Sequence, residues 1–411
     1  MKRIFSPTYR IESSGAKPSL KSLSSFLSLS SLKSIPSQRW RYLTTIAFLF
    51  ILSRSTFAQP SSQPKLQGYD LSFPAMGSTI TLNAYSDSEE RVEIAFKAVR
   101  LEIDRLVAIL SDYEPNSELN QRHRQAKKAM PVSDELFDVL VASENWYHRS
   151  DGAFDAAIGN LTRLWREARK RRELPNRTEI ENARIHSGWP GIDLNRVDRS
   201  LTLLDPEVRI DFGGIAAGYI VDRAFEILVS HGLPHSLVND GGDIRCGEAP
   251  PGREGWRIEV ASMRSPLSEK RIPRTAKNRP LFQPASPNNH NMPPPLRRIY
   301  LKNASITTSG DLWQYMEIDG QRRSHILEPK TGYGVLGPSM VTVIAPTCMD
   351  ADAAATAVSV MGIERGMAFI EVQAQFEAFF ACQFDEKGPL LICNTQGFPL
   401  GIFDANPLEA K

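Results

Sequence analysis

The stretch MDADAAATAVSVMG, from Met349 to Gly362, limits how this chain can fold more than any other. Alanine is the strongest helix former, so the stretch predicts a helix, and its small apolar side chains predict burial. Asp352 and Thr356 are four residues apart and therefore share one face of that helix. A carboxylate that faces a core is unfavourable unless it is paired, hydrogen-bonded or bound to a cation. Two interpretations stay open. The acids form an oxygen site for a hard cation such as Mg²⁺, or they mark a helix start at which Asp350 or Asp352 accepts hydrogen bonds from free backbone N–H groups.

The 411 residues have the composition of a globular protein, with 41% hydrophobic and 23% charged residues. The net charge of +2 gives no indication of a nucleic-acid partner, and we expect none. Positive charge is concentrated in residues 1–42 and 264–298, which each hold eight Lys or Arg and one acid. The second segment also holds eight prolines, which predicts a basic Pro-rich insertion. It is either a loop without regular structure or an arm that binds an acidic partner or a membrane surface.

The basic N-terminal segment leads into an apolar run, LTTIAFLFIL, from Leu43 to Leu52. Ten residues are too few for an ordinary membrane span but are typical of a signal-peptide core. Small residues at Thr56 and Ala58 suit cleavage after Ala58. We therefore expect export to the periplasm, with attachment to the inner membrane if the segment is retained. The predicted organisation is a signal peptide or N-terminal anchor at 1–58, a linker at 59–67 and a folded domain at 68–405 that contains the insertion at 264–298.

None of the four cysteines, Cys246, Cys348, Cys382 and Cys393, has the spacing of a metal site. Cys382 and Cys393 flank a turn-like DEKGP and are predicted to lie on paired strands. Export would permit a disulfide between them, and buried thiols are the equal alternative.

Hydrophobic periodicity and turn residues predict hairpins mixed with helices rather than alternating βαβ units, which indicates the α+β class. The first predicted helix is about Ser88–Leu110, with an apolar stripe at Ile94, Val99, Ile103, Leu106 and Leu110. The others are about Ser133–Ser150, with Ser133 as its cap, and IAAGYIVDRAFEILVS, closed by Gly232. The predicted strand pairs turn near Asp205-Pro206, at Gly241-Gly242 and at Asp319-Gly320.

Glycines beside polar residues occur at several predicted strand ends. Gly213 and Gly214 precede a helix, where their turn presents backbone N–H groups to a phosphate or simply allows close packing. Their pattern matches neither GxGxxG nor GxxxxGK[ST], which excludes the Rossmann and Walker motifs. Gly77 inside a strand indicates a bulge or the close approach of a ligand.

Asn239 and Asp243 in VNDGGDIR, and His325 in a strand, have ordinary structural interpretations when each is taken alone. Taken in chain order, however, the motifs of this sequence resemble the ApbE-type FAD:protein FMN transferase family. The resemblance extends from about Phe73 to Gly362. It rests on MGS, SDYEPNSEL, GAFDAAIGNLTRLW, DFGGIAAGYIVDR, LVNDGGDIR, TTSGD, SHILEPKTG and IAPTCMDADAAATAVSVMG.

The resemblance implies an enzyme that binds FAD and Mg²⁺, transfers the FMN half of FAD to a threonine hydroxyl of a target flavoprotein, and releases AMP. Such targets are subunits of membrane redox pumps and other exported flavoproteins. The implied fold is α+β with two lobes, T-fold-like, and FAD lies in the cleft between the lobes.

The resemblance also implies roles for particular residues. Asp352, Thr356 and the backbone carbonyl of Gly214 match the metal ligands, and Asp352 and His325 are the candidates for proton transfer. The positions that match the FAD site or support it are Met76, Tyr113, Asp155, Gly213, Gly214, Asn239, Asp243 and His325.

Several positions depart from the family pattern. Ala217 stands where Lys is usual, and Leu312 and Gln314 stand where Tyr and Arg are usual. Asp240 replaces an apolar residue, and Ser78 replaces Thr. The loss of two cations favours one alternative to the transferase, a divergent FAD-binding homologue with little activity. A second alternative is an FAD pyrophosphatase, which would use the same metal site to form FMN and AMP.

Overall fold

A sheet of eight antiparallel strands forms the frame of the described part of the chain, in the order β1-β2-β6-β7-β10-β14-β15-β16. Three smaller sheets accompany it, β11-β12-β13, β3-β5-β4 and β8-β9. The strands are β1 (Gln67–Ala75), β2 (Ser78–Ser86), β3 (Met130–Pro131), β4 (Ile192–Asn195), β5 (Ser200–Leu203), β6 (Ser236–Asp240), β7 (Asp243–Cys246), β8 (Trp256–Val260), β9 (Arg297–Leu301), β10 (Ala304–Gly310), β11 (Tyr315–Ile318), β12 (Gln321–Leu327), β13 (Gly334–Leu336), β14 (Ser339–Ala345), β15 (Glu377–Cys382) and β16 (Leu391–Asn394).

The computed structural model describes residues 65–125, 127–171, 173–260, 297–311, 315–318, 321–337, 339–382 and 391–399. They belong to a unit that begins at Pro64. Several expectations lie outside the described residues: the N-terminal segment 1–58, the linker up to 64, residues 264–296 of the predicted insertion, Leu312, Gln314 and the turn at Asp319-Gly320.

The helices are α1 (Glu89–Leu110), α2 (Glu118–His123), α3 (Asp134–Arg149), α4 (Gly159–Arg171), α5 (Arg177–Ile185), α6 (Ala216–Ser230) and α7 (Cys348–Glu371). The side chains of Ser88 and Ser133 accept hydrogen bonds from the first turns of α1 and α3. This confirms the predicted cap at Ser133, whereas Ser88 was predicted only as the approximate start of its helix. Together with the antiparallel sheet, these helices confirm the predicted α+β class.

Core side chains lie on both faces of the large sheet. Val341 and Val343 of β14 face the main cluster with α1, α6 and α7, whereas Met340 and Ile344 face a second cluster with β8 and β9. Every residue of β14 is buried, which explains why its sequence does not alternate between apolar and exposed polar residues.

Helix α7 packs against β10 and β14 of the large sheet and against α6. Among the described residues it is the one helix with the length and apolar character of a membrane span. Its alanines at 353, 354, 355 and 357 are buried within the main core cluster, so it is a core helix. The backbone turns out of helical geometry at Gly362, where φ is 76°.

Two local predictions are wrong. The predicted stripe of α1 is confirmed at Val99, Ile103, Leu106 and Leu110, but Ile94 is 54% exposed, because the buried face continues through Val92 and Phe96 instead. The strand before Asp205 pairs with β3 and β4 rather than with the residues that follow. Those residues are held elsewhere, because Gly159 N–H donates to the Arg209 carbonyl and Asp211 N–H to the Ala156 carbonyl.

All four cysteines are free thiols. Cys382 and Cys393 do lie on paired strands, as predicted, but Cys382 is opposite Leu391 and Cys393 is opposite Phe380. The two thiols are therefore diagonal neighbours, and the structure corresponds to the thiol alternative rather than the disulfide.

His123, at the end of α2, joins this helix to the segment before the Gly213-Gly214 turn. Its Nε2 accepts a hydrogen bond from Ile210 N–H at 3.0 Å. Burial, with smaller effects of Arg209 and Arg124, lowers the pKa of His123 to about 4. The neutral ring is thus the form that the fold stabilises.

We expect the contribution of His123 to stability to fall as the medium is acidified. The unfolded chain takes up the proton near pH 6.5, whereas the folded chain takes it up near pH 4, so stability present above pH 6.5 is lost through this window. Relative to His123→Gln, the free energy of unfolding of the wild type should fall by about 2 kcal/mol between pH 7.5 and pH 5. Urea unfolding at both pH values measures it. His148→Gln, at an exposed position, is the control. If the difference in unfolding free energy between the wild type and His123→Gln does not change with pH, His123 does not have the lowered pKa.

Candidate active site

A cavity of about 830 Å³ opens beside α6 and α7. This volume is within the range of small-molecule and cofactor sites. The predicted site residues that line it are Met76, Tyr113, Asp155, Gly213, Gly214, His325, Asp352 and Thr356, and further lining residues include Asp112, Arg166, Arg169, Asp211, Ala217 and Asp240.

The start of α7 is capped without any contribution from Asp352. Thr347 Oγ1 accepts a hydrogen bond from Asp350 N–H and donates one to Asp350 Oδ2 at 2.8 Å. The other Asp350 oxygen accepts from Trp146 Nε1 at 3.1 Å. Asp222 of α6 accepts from the N–H groups of Cys348 and Met349, both at 2.9 Å. The helix-start interpretation therefore applies to Asp350, and Asp352 is available to the cavity.

Asp352 is 5% exposed, and the one hydrogen bond to its carboxylate that we identify comes from Gly218 N–H at 3.3 Å. Burial raises the pKa of Asp352 well above its usual range, and Asp243 and Asp240 raise it further. The bond from Gly218 acts in the opposite direction. A buried carboxylate close to two other acids is stabilised as an anion only if a positive charge lies nearby.

Gly214 and Thr356 lie in close contact at the same end of the cavity. A Cβ at Gly214 would lie 2.8 Å from Thr356 Oγ1, so only glycine leaves this space open. The carboxylate of Asp352, the hydroxyl of Thr356 and the carbonyl of Gly214 are all hard oxygen donors, which suit Mg²⁺. No three His, Cys, Asp or Glu side chains of the described residues are arranged to hold a metal ion, so a cation here would depend on this mixed set of oxygens.

Helix α6 begins at the cavity. Its N-cap, Ile215, provides no side-chain hydrogen bond to the first turn, and Gly214, Ala216 and Ala217 line the wall. The partial positive charge of a helix N-terminus favours an anion. Because residue 217 is alanine, the backbone rather than a lysine side chain forms this part of the wall.

The β1–β2 turn places Met76 at the cavity in an unusual conformation. Met76 has φ 48° and Gly77 has φ 79°, both in the left-handed region. Glycine adopts this region freely, whereas methionine does so at a cost. The predicted irregularity at Gly77 is thus a tight hairpin turn, and its strained residue lines the candidate site.

Asn239 and Asp243 are not among the residues that line the cavity; they lie on β6 and β7, on either side of the turn that joins these strands. Asn239 Oδ1 accepts from Gly242 N–H at 3.0 Å, which fixes the turn. Burial and the neighbouring Asp240 raise the pKa of Asp243 to about 7. Asp240 itself reaches the cavity wall and accepts a hydrogen bond from Ser78.

Asp155 lines the cavity, but backbone groups occupy its carboxylate. Oδ1 accepts from Ala157 N–H at 2.8 Å and Oδ2 from Trp189 N–H at 3.1 Å. Burial raises the pKa of Asp155 to about 6, although the two backbone hydrogen bonds act in the opposite direction. These contacts indicate that Asp155 shapes the wall.

His325 is exposed on β12 at the cavity wall. Its strand is held by Leu327, which packs with Leu161, Trp165 and Ile180 in a small separate cluster. Trp165 Nε1 also donates to the Gly332 carbonyl at 2.7 Å, which ties α4 to the loop after β12.

Asp211 and Arg166 are among the cavity-lining residues that the sequence analysis did not single out. Asp211 is 7% exposed and accepts from Gly213 N–H at 2.8 Å. Because Asp211 comes directly before Phe212, Gly213 and Gly214, the sequence could have placed it near the glycine turn of the site. Arg166 contacts Asp112 and Asp211, which are 54 and 45 residues away, and no local pattern predicts such contacts.

Comparisons with known proteins agree with this geometry. The chain matches the ApbE family over residues 76–380. A FAD:protein FMN transferase from Vibrio cholerae is 29% identical over 343 residues, which cover 80% of this chain and 90% of that protein. One from Klebsiella pneumoniae is 26% identical and covers 76% of this chain and 88% of that protein.

Solved structures show the same fold. The apo form of the flavinyl transferase ApbE from Pseudomonas stutzeri superposes with a TM-score of 0.66 at 26% identity, over 81% of this chain and 96% of that one. An ApbE protein from Thermotoga maritima gives 0.65 at 26% identity, over 79% and 96%. The family match, the fold and the order of the motifs lead to one conclusion: this chain belongs to the ApbE family.

Proposed function

We propose that this protein is a Mg²⁺-dependent FAD:protein FMN transferase, which moves the FMN half of FAD onto a threonine hydroxyl of an acceptor flavoprotein and releases AMP. The observation that carries the proposal is the meeting of Asp352, Thr356 and Gly214 at one end of the 830 Å³ cavity. Relatives named as FAD:protein FMN transferases, matched over most of their length, support the reaction class.

The chemistry is a substitution at phosphorus. The threonine oxygen forms a bond to the phosphorus of the FMN half, and the bond from that phosphorus to the oxygen of AMP breaks. Mg²⁺, when bound by Asp352, Thr356 and the Gly214 carbonyl, supplies positive charge to the diphosphate. The open N-terminus of α6 favours the same anion.

A threonine hydroxyl is a weak nucleophile and needs a base. Most buried acids that line the cavity are already engaged: Asp155 with two backbone N–H groups, Asp211 with Arg166, and Asp240 with Ser78. Asp352 and His325 are the groups that we assign to proton transfer. His325 is exposed on its strand, so it is accessible to an incoming acceptor.

The acceptor and the compartment are part of the same proposal. The signal-like sequence at 1–58 supports an enzyme that acts in the periplasm on an exported flavoprotein or a redox-pump subunit. If the segment stays attached, it anchors the enzyme to the inner membrane. Cell fractionation tests this part, and finding the mature chain in the cytoplasm would overturn it.

The reaction is tested by incubating the purified protein with FAD and Mg²⁺, with and without a threonine-bearing flavoprotein. Release of AMP together with covalent flavin fluorescence on the acceptor would support the transferase. Equal release of AMP without any acceptor would instead support a pyrophosphatase. Bound FAD without AMP release would support a binding protein.

Replacing Thr356 with valine tests the metal site by removing one oxygen at nearly constant volume. We expect Mg²⁺ to be bound at least about tenfold more weakly, with AMP release reduced in parallel. Isothermal titration with Mg²⁺ and an AMP assay measure the two effects. Ser359→Ala is a matched control, because Ser359 lies one turn further along α7 and donates to the Ala355 carbonyl at 2.8 Å. Equal Mg²⁺ affinity in Thr356→Val and wild type would remove Thr356 from the site.

A further inference from the structure

We propose that Arg166 is a positioning residue, which holds the ring of Tyr113 as a stacking surface for a ring of FAD and fixes it to the segment that carries Gly214. The inference rests on the proposed function, since FAD is the ligand. Nothing in the motifs of the sequence singles out Arg166; the contacts of its guanidinium do.

Arg166 lies on α4 and bridges two separate parts of the cavity wall. One nitrogen donates to Asp112, in the loop after α1, and the other donates to Asp211 Oδ2 at 2.5 Å. The guanidinium carbon lies 4.2 Å from the centre of the Tyr113 ring. A single planar group therefore fixes the loop that bears Tyr113 and the segment that leads to Gly213 and Gly214.

The charges show why Arg166 is not simply an anion-binding residue. Two carboxylates neutralise one guanidinium, so the group offers no net positive charge to a diphosphate. Burial and the charge of Asp211 raise the pKa of Asp112, and Arg166 opposes both effects. Without the guanidinium, two partly buried carboxylates would face each other and the loop would lose its attachment.

Tyr113 has the exposure that a stacking surface requires. Its side chain is 70% exposed and lines the cavity, while the guanidinium lies over its ring. Aromatic rings stack favourably on such a surface, and FAD offers two ring systems, isoalloxazine and adenine. A ring that is already held loses little conformational entropy when the ligand stacks on it.

The bridge also reaches the metal end of the cavity. Asp211 binds Arg166 through Oδ2 and accepts Gly213 N–H through Oδ1 at 2.8 Å. Gly214 follows directly and contacts Thr356. Stacking of the ring and placement of the diphosphate are thereby linked through Arg166.

The test compares FAD affinity of Arg166→Gln, Tyr113→Ala and the double variant, measured by flavin fluorescence without Mg²⁺. We expect each single variant to raise the Kd about tenfold and the double variant to be no weaker than the weaker single variant. The KM for FAD should rise while kcat changes little, because Arg166 does not contact the reacting atoms. Arg166→Lys keeps the charge but lacks the planar fork, so it should bind FAD no better than Arg166→Gln.

Arg163→Gln is the matched control, an exposed arginine one turn earlier on α4 that is not among the cavity-lining residues. It should leave the Kd unchanged. If Arg166→Gln does not fold, Asp112→Asn carries the test, since it loosens the loop while Asp211 still balances the guanidinium. That variant should also raise the Kd for FAD.

The inference would be overturned by an unchanged Kd for FAD in Arg166→Gln. It would also be overturned if the changes in binding free energy of Arg166→Gln and Tyr113→Ala simply added in the double variant. Neither result would affect the proposed transferase function. Conversely, the variants can show the expected non-additive effects on the Kd for FAD while the wild type never releases AMP. That result would overturn the proposed function and leave the role of Arg166 intact. A wild type without any affinity for FAD would overturn both.

Discussion

Replacing Asp352 with asparagine is expected to lower Mg²⁺-dependent AMP release from FAD by about a thousandfold or more, while the protein becomes no less stable. In the proposed cation site the carboxylate would supply the negatively charged oxygen, and an amide retains the shape but not the charge. An AMP assay with saturating FAD measures the loss, and titration with Mg²⁺ shows whether it originates in metal binding.

The stability half of this prediction follows from the surroundings of Asp352. Its carboxylate is buried near Asp243 and Asp240 and receives a long hydrogen bond from Gly218. Without a cation, a neutral amide removes repulsion between buried acids. Thermal unfolding in EDTA should therefore show an equal or higher midpoint for Asp352→Asn.

Glu364→Gln, an exposed change on the same helix, is the control and should alter neither activity nor stability. Retained activity in Asp352→Asn would remove Asp352 from the reaction. A clear loss of stability in EDTA would instead show that the carboxylate stabilises the fold.

Gly218→Ala is expected to remove activity by a different route, by forcing α6 and α7 apart. The added Cβ would lie 2.3 Å from the Cys348 carbonyl oxygen and 2.7 Å from Met349 Cα, and both obstacles are backbone. Overpacking of this kind typically destabilises by about 1–3 kcal/mol, and backbone obstacles place this variant at the upper end. The bond from Gly218 N–H to Asp352 would be lost with the displacement.

Urea unfolding measures the loss of stability, and an assay of AMP release measures the loss of activity. Glu226→Ala, exposed on the same helix, should change the free energy of unfolding by less than about 0.5 kcal/mol. If the free energy of unfolding of Gly218→Ala equals that of the wild type, α6 and α7 can move apart without destabilising the fold. The pair of variants separates two causes, because Asp352→Asn loses activity alone whereas Gly218→Ala loses activity and stability together.

The sequence predicted those parts of the site that depend on spacing within one element. Asp352 and Thr356 share a helix face because of the helical period, and the cap of α3 follows from a serine before an acidic turn. The pairing of β5 was mispredicted, because alternation shows that a segment is a strand but not which strand it pairs with.

Contacts between distant segments were beyond the reach of periodicity. Arg166 looks like one more charge in a basic helix until folding brings it to Asp112 and Asp211. The need for glycine at 218 comes likewise from the backbone of α7, which is 130 residues later in the chain.

The separate attachment of His325 has a consequence for how the site opens. Asp352 lies on a helix within the main core, so the amide protons around it exchange with solvent only when most of the fold unfolds. The strand of His325 belongs to a three-stranded sheet of its own and is held by a cluster of four buried side chains. Such a unit opens locally at much lower free energy. The two walls of the cavity should therefore differ in amide exchange, with faster exchange in the strand of His325 than in the helix that carries Asp352.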